Sequence, residues 1–462
     1  MSNTKSNLKR SLGVTDGASI IIANVIGIGI FTTPGVVAGI SPGIFPFISL
    51  WIAGGLLVCI GALAYADLAH HIPKAGGEYI YLKQAFGPKW GFLSGWTSFI
   101  AGFSGAIAAS SIGFAEYLLG LVPEGDELQA YSGAIHAASL LPVEPEKAIG
   151  MLLIFLVTLF HISRMNVGRY FQNALTLLNI LTILALVVLG FAASPDWVFT
   201  EQRISGTTEF SGWFLALIPV LFTYSGWNAA VYVAEEIKNP GKNMHRALLA
   251  GVGVVIVLYL LLNLLIAGTI PFHTLSESVD VINTMSAALF GPNGMIIFSI
   301  VILTALLSSV SAMVLTGPRI YFAMSRDNLF PAAFSQVHPR KNIPYLAVCL
   351  QSVWAVILVI TGTFEQLLIY TGFSIILFSC LSVLALLVLD HRESRIQLPL
   401  VKKVLYIGFV LIGLIIVVNA IYMSPGPSLA GLLLITAGLP VYYWYARAES
   451  DADEPTDHPD DE

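Results

Sequence analysis

Apolar runs long enough to cross a lipid bilayer recur along this chain and leave little choice of fold. They lie at 14–38, 45–70, 89–119, 148–163, 170–193, 211–236, 246–270, 293–322, 345–361, 367–389, 403–422 and 427–446. A helix needs about 20 apolar residues to traverse the hydrocarbon, and only helices and closed barrels satisfy their backbone there. The chain is therefore read as an all-α polytopic membrane protein with twelve transmembrane helices. Only 11% of its 462 residues are charged, where soluble domains carry about 25%. That balance excludes a soluble enzyme and argues against nucleic-acid binding.

The basic residues give the orientation. With the N-terminus in the cytoplasm, the inside segments hold 20 of the 22 Lys and Arg residues, and only Lys147 and Arg203 fall outside. Cytoplasmic loops carry such an excess, so twelve spans with both termini inside is the expected topology of a multi-pass inner or plasma membrane protein. The segment 1–13 is then a cytoplasmic N-terminus. The net charge of −6 reflects an acidic end, 447–462, read as a disordered cytoplasmic tail. No cleavable signal peptide is evident.

Two runs are interrupted. The first reads Asn24-Val25-Ile26-Gly27-Ile28-Gly29, where two glycines weaken the helix at mid-depth. The second reads Pro219 to Asn228 and carries a proline, then Ser225-Gly226, then Trp227-Asn228. They lie five spans apart, and matched interruptions point to a midplane binding site in an inverted-repeat transporter. A half-helix starting in the membrane offers free N–H groups to a carboxylate, and one ending there offers carbonyls to a cation. Together they suit a zwitterion without any charged side chain. The glycines also suit close helix packing.

At these residues the chain resembles the amino acid–polyamine–organocation (APC) superfamily, and within it the L-type amino acid transporters and their bacterial relatives. The resemblance runs from about Ser11 to Ala446. It rests on Gly27-Ile28-Gly29-Ile30-Phe31, on Ser225-Gly226-Trp227-Asn228 followed by Glu235-Glu236-Ile237-Lys238-Asn239-Pro240, on Pro73 to Tyr81, and on Gly317-Pro318-Arg319 with Arg326 to Pro331. It implies a leucine-transporter-like five-plus-five inverted repeat, with repeats at 14–193 and 194–389 and two added helices at 390–446. It also implies that Ile28 and Gly29 N–H groups hold the substrate carboxylate and that Val25, Ile26, Phe222 and Ser225 carbonyls receive the ammonium. Phe222 takes the place of an aromatic gate, Gly226 leaves room for the substrate side chain, and Asn24 lies beside the site. Asn24 and Asn228 equally suit helix-bridging hydrogen bonds.

No acid or base is visible at mid-depth on these elements, which favours a neutral L-amino acid. Glu235 and Glu236 sit where Lys238 and Lys242 are available as partners. Several relatives carry a lysine in span 5, and the alignment puts Asn179 at that place. A carboxamide does not titrate, so exchange or uniport by alternating access is expected. Proton or sodium symport, with a cation site at Ser311, and an amino acid sensor on the same fold remain the alternatives. His161 is read as structural. No paired acids, nucleophile–base set or zinc motif is present, so no enzyme, catalytic residue, cofactor or metal is expected. The partners are then the amino acid and the bilayer. No accessory subunit is expected, since Cys59, Cys349 and Cys380 all lie in apolar runs.

Overall fold

A computed structural model describes residues 8–121, 144–163, 165–193, 210–278, 281–291, 294–362, 364–393 and 396–453. Most of them are helical. Nine helices among the described residues are long and apolar enough to cross a membrane, and a bent pair supplies a tenth candidate. That pair is α1 (Val14–Val25) and α2 (Gly29–Ile40), which meet at 51°. The expected spans at 345–361 and 211–236 fall short of that standard. The former is a 17-residue helix, Tyr345–Thr361, and the latter is itself broken. The C-terminal helix Gly438–Asp453 runs into the stretch read as a disordered tail. Residues 454–462, and most of the outer loop at 120–147, lie outside the described residues.

The order continues α3 (Ile44–His71), α4 (Glu78–Phe86), α5 (Pro88–Thr97) and α6 (Phe103–Leu119), with a π-helical turn at Ser98–Gly102 between the last two. Next come α7 (Pro145–Ser163), α8 (Met165–Ala193), α9 (Phe210–Thr223), α10 (Ala229–Tyr232) and α11 (Pro240–Thr269). Two short helices, α12 (Phe272–Glu277) and α13 (Val281–Phe290), precede α14 (Gly294–Thr316), α15 (Pro318–Arg326) and α16 (Tyr345–Thr361). The chain closes with α17 (Phe364–Arg392), α18 (Leu400–Met423), α19 (Pro425–Thr436) and α20 (Gly438–Asp453). Proline stands at the start of α5, α11, α15 and α19, where its missing N–H costs nothing.

The helices pack in two groups. In one, α6, α7, α14 and α16 share an apolar core that includes Ile107, Ile154, Val310 and Val359. In the other, α11 lies along α3 and α1. Helix α8 bridges the groups, touching α1 and α14.

The two broken spans are held together along their length. At one end Ser11 and Leu12 N–H groups donate to the Glu236 carbonyl at 2.9 Å, and Lys238 N–H returns a bond to Leu12. Leu12 and Ile237 form a parallel β-bridge. At the other end the hydroxyls of Thr33 on α2 and Thr223 on α9 lie 2.9 Å apart. The chain after α10 is fastened to α15 by ions. Glu236 meets Arg319 at 2.8 Å, both almost fully buried, and Glu235 meets Arg326 at 2.8 Å. The expected partners Lys238 and Lys242 are not used, because the fold brings two arginines from α15 onto these acids instead.

Breaking one partner of a buried ion pair strands the other charge and costs about 3–5 kcal/mol, whereas apolar replacement of both is often neutral. Arg319→Met alone should therefore lower the thermal midpoint in detergent more than the double variant Arg319→Met/Glu236→Leu. Equal losses in the two proteins would show that the pair is not the source of the stability.

Candidate functional site

A cavity of about 190 Å³ opens where the two breaks meet, lined by Asn24, Val25, Gly27, Ile28 and Gly29 from the first break and Phe222, Thr223, Ser225, Gly226 and Asn228 from the second. The volume lies below the roughly 300–1,000 Å³ of drug-sized sites, which fits a small metabolite. The walls are completed by Ser98, Gly102 and Phe103 at the π-turn, by Ser110 on α6, and by Ser374 and Phe378 on α17. A π-turn inserts one residue and often marks a functional site.

The first break follows from its sequence. Ile26 leaves the helix with an extended backbone (ψ 95°), and α2 restarts at Gly29. Among the described residues, the N–H groups of Gly27, Ile28 and Gly29 find no backbone acceptor. They stand at the start of α2, where the helix dipole favours negative charge. In the second break the Ser225 carbonyl receives no hydrogen bond from a described residue, while the Phe222 carbonyl takes the Ser225 N–H at 2.9 Å. The site thus faces an anion with donors and a cation with a carbonyl.

Two further contacts fix these breaks in register. Gly226 adopts φ +96°, and a Cβ there would sit 2.7 Å from the Asn24 carbonyl oxygen. The glycine is therefore required by contact with the backbone of α1, a different reason from room for a substrate side chain. Tyr259 on α11 places its hydroxyl 2.8 Å from the Val25 carbonyl and 3.2 Å from the Thr223 carbonyl. It sits in a cluster with Trp51 and Tyr224, whose ring centroids lie 6.1 and 5.0 Å from its own.

The other expected residues fall as follows. Ile26 is buried and does not line the cavity. The Val25 carbonyl is already engaged by Tyr259. Asn24 donates to the Ile20 carbonyl at 2.8 Å, and Asn228 donates to Glu78 at 3.0 Å. Phe222 reaches Gly372 on α17, so it bridges the second break to the neighbouring wall. Asn179 and Ser311 lie outside the cavity. The Ser311 hydroxyl meets His161 Nε2 at 2.8 Å instead. Asn179 is fully buried on α8, and its amide finds no partner among the described residues. Sequence reading missed Tyr259, Phe103, Tyr232 and Glu78. The first three look like ordinary apolar-run aromatics, and the last looked like a loop acid. Among the described residues no cluster of His, Cys, Asp or Glu is arranged to hold a metal.

A helical membrane protein whose cavity lies between two mid-helix breaks, one rich in donors and one offering a carbonyl, is a carrier for a small zwitterion. Residues 12–445 match the model of the amino acid permease family, and the chain belongs to that family. It is 27% identical to the serine/threonine exchanger SteT of Bacillus subtilis, over 96% of this chain and 98% of that one. It is 26% identical to the b(0,+)-type amino acid transporter 1 of Mus musculus, covering 95% of this chain and 88% of that protein. It is also 26% identical to the Asc-type amino acid transporter 1 of Mus musculus, covering 94% and 81%.

Forcing a residue with a Cβ into positive φ costs roughly 1–2 kcal/mol before any clash. Gly226→Ala should lower the thermal midpoint by several degrees. Gly29→Ala, whose Cβ would meet Thr223 at an ordinary 3.5 Å, should leave it nearly unchanged. A Gly226→Ala protein as stable as the parent would remove the close-approach explanation.

Proposed function

We propose that this protein carries neutral L-amino acids across the membrane by alternating access, as an exchanger or uniporter. The observation that carries the reading is the pairing of unbonded N–H groups at Gly27, Ile28 and Gly29 with the Ser225 carbonyl across one small cavity. The α-carboxylate lies at the first break and the α-ammonium at the second. Similarity to a serine/threonine exchanger and to mammalian amino acid transporters supports the same cargo class.

In this reading the chain has twelve spans, two five-helix inverted repeats, cytoplasmic termini and a place in the inner or plasma membrane. The group of α1, α3, α10 and α11 moves against the group of α6, α7, α14 and α16. The bonds joining the two broken spans make them move as one piece. Phe222 closes over the cargo against α17. The protein works without a covalently attached subunit, since Cys59, Cys349 and Cys380 are all on helices α3, α16 and α17.

Coupling to protons does not run through Asn179, whose carboxamide neither gains nor loses charge near neutral pH. Proteoliposomes loaded with unlabelled L-serine or L-leucine should take up the labelled amino acid by counterflow, unchanged within about twofold by imposed proton or sodium gradients. Uptake that follows one gradient would replace exchange by symport. Phe222→Ala should speed cargo loss and raise the apparent KM by about tenfold, which corresponds to 1.4 kcal/mol. An unaltered KM and exchange rate would remove Phe222 as the gate.

A further inference from the structure

Among the described residues, one face of α3 is left uncovered and ends in a cluster of cations. Ile52, Leu56, Ile60 and Leu63 recur at helical spacing along it, and Ile52 and Leu56 are 45% and 61% exposed. Helices α11 and α18 flank this stripe. A Cβ on Gly55 would meet Ile256 of α11 at 3.2 Å, and one on Gly61, on the other side, would meet Phe409 of α18 at 3.1 Å. The α11 wall is open at Gly253, where a Cβ would touch nothing within 4 Å. From Ile52 to Leu63 the stripe runs about 17 Å at 1.5 Å per residue, close to the roughly 15 Å of hydrocarbon in one bilayer leaflet.

The next residue on the stripe is Asp67, which closes its end. The buried carboxylate accepts from His245 Nε2 of α11 at 2.8 Å, from Lys402 Nζ of α18 at 2.8 and 2.9 Å, and from the Tyr406 hydroxyl at 2.5 Å. Beside it His70 donates Nδ1–H to the Gly241 carbonyl at 3.1 Å, its ring 6.2 Å from that of His245. One carboxylate thus ties three helices together, and it neutralises only one charge. Lys403 is committed to Asp390 at 2.8 Å, and Glu393 lies close enough to act on His71. Lys242 and Arg246, in the first two turns of α11, are exposed and form no ion pair with a described residue. Lys242, Arg246 and Lys402 therefore outnumber Asp67 and Glu393 before any histidine takes a proton. The Lys402 ammonium has three N–H donors and gives two to Asp67, which leaves one open.

We propose that this groove binds one anionic phospholipid, with an acyl chain along the α3 stripe and the phosphate beside Lys242, Arg246 and the open donor of Lys402. Basic residues at a membrane surface attract anionic headgroups, and long cationic side chains reach that level from within a helix. The apolar stripe offers a surface that only a molecule with a chain can use, so the occupant is a lipid and not free phosphate. The groove runs between three helices already crossed by Asp67, His245 and Lys402, so a lipid seated there fastens α18 to α3 and α11. None of these residues lines the transport cavity, and the site does not depend on the cargo.

The test is the thermal midpoint of the purified full chain in a neutral detergent, titrated with phosphatidylglycerol, with phosphatidylcholine of the same chains, or with inorganic phosphate. Phosphatidylglycerol should raise the midpoint and saturate, while the other two leave it nearly unchanged. Lys242→Gln/Arg246→Gln should raise the phosphatidylglycerol concentration that gives half the shift by about tenfold or more. Gly253→Trp, which fills the groove, should weaken the response and leave the lipid-free midpoint near that of the parent. Arg10→Gln/Arg340→Gln, which removes two exposed charges elsewhere, should respond like the parent. A wild-type midpoint indifferent to phosphatidylglycerol overturns the site, whatever the fate of the variants. Equal shifts with phosphatidylcholine, or an equal loss in the Arg10 and Arg340 variant, would show general attraction to lipid or to charge and overturn it too. A response to inorganic phosphate alone would leave an anion site without a lipid, and an undiminished response in Gly253→Trp would remove the chain from the groove.

Discussion

The site exists because two interrupted helices are pressed together at their interruptions. Gly226 lies so close to the Asn24 carbonyl that no side chain fits between them. The Tyr259 hydroxyl reaches over the ends of α1 and α9 and meets the Val25 and Thr223 carbonyls. A helix end buried in a membrane leaves backbone groups that must find partners. Here one phenol from α11 serves carbonyls from both breaks, and the N–H groups opposite are left facing the cavity. The same junction that stabilises the breaks thereby decides which backbone groups remain unbonded at the cavity.

Charge is used differently at the two levels of the protein. At the breaks the polarity comes mainly from the backbone, so the cavity can bind a zwitterion without fixed ions. Beyond them, where the chain leaves α10, Glu235 and Glu236 are locked to Arg326 and Arg319. Tyr79 and Lys83 on α4 both reach Asp327, which follows α15. These contacts join the broken-span unit and the connection after α3 to α15 and the residue that follows it.

Much of this architecture is legible in the sequence, for identifiable reasons. The apolar runs have the length a bilayer demands, and Gly27-Ile28-Gly29 and Ser225-Gly226 interrupt two of them five spans apart. Nine of the ten residues assigned to substrate line the cavity. The exception, Ile26, turns away because its extended backbone directs it into the core. What sequence could not supply were contacts made across the fold. Asn24 and Asn228 have amides, but only packing determines that one caps its own helix and the other meets Glu78. Glu78 falls between the apolar runs at 45–70 and 89–119, and hydropathy registers where a segment enters the bilayer and not how a glycine turn folds it back. Ser311 is matched with His161, a pairing across 150 positions that no local pattern announces.

The β-bridge between Leu12 and Ile237 gives the first described residues an unusual standing. Leu8 is buried and its N–H is oriented toward Glu235 at 3.4 Å, and the Arg169 side chain holds the Ser11 carbonyl at 3.0 Å. The segment ahead of α1 is thus fastened to both broken spans. A fluorophore placed near Leu8 would therefore sense the surroundings of both broken spans at once, whereas a bulky fusion there would press on their junction. A handle for capture is better placed on the C-terminal helix α20, which packs on α5 and α19.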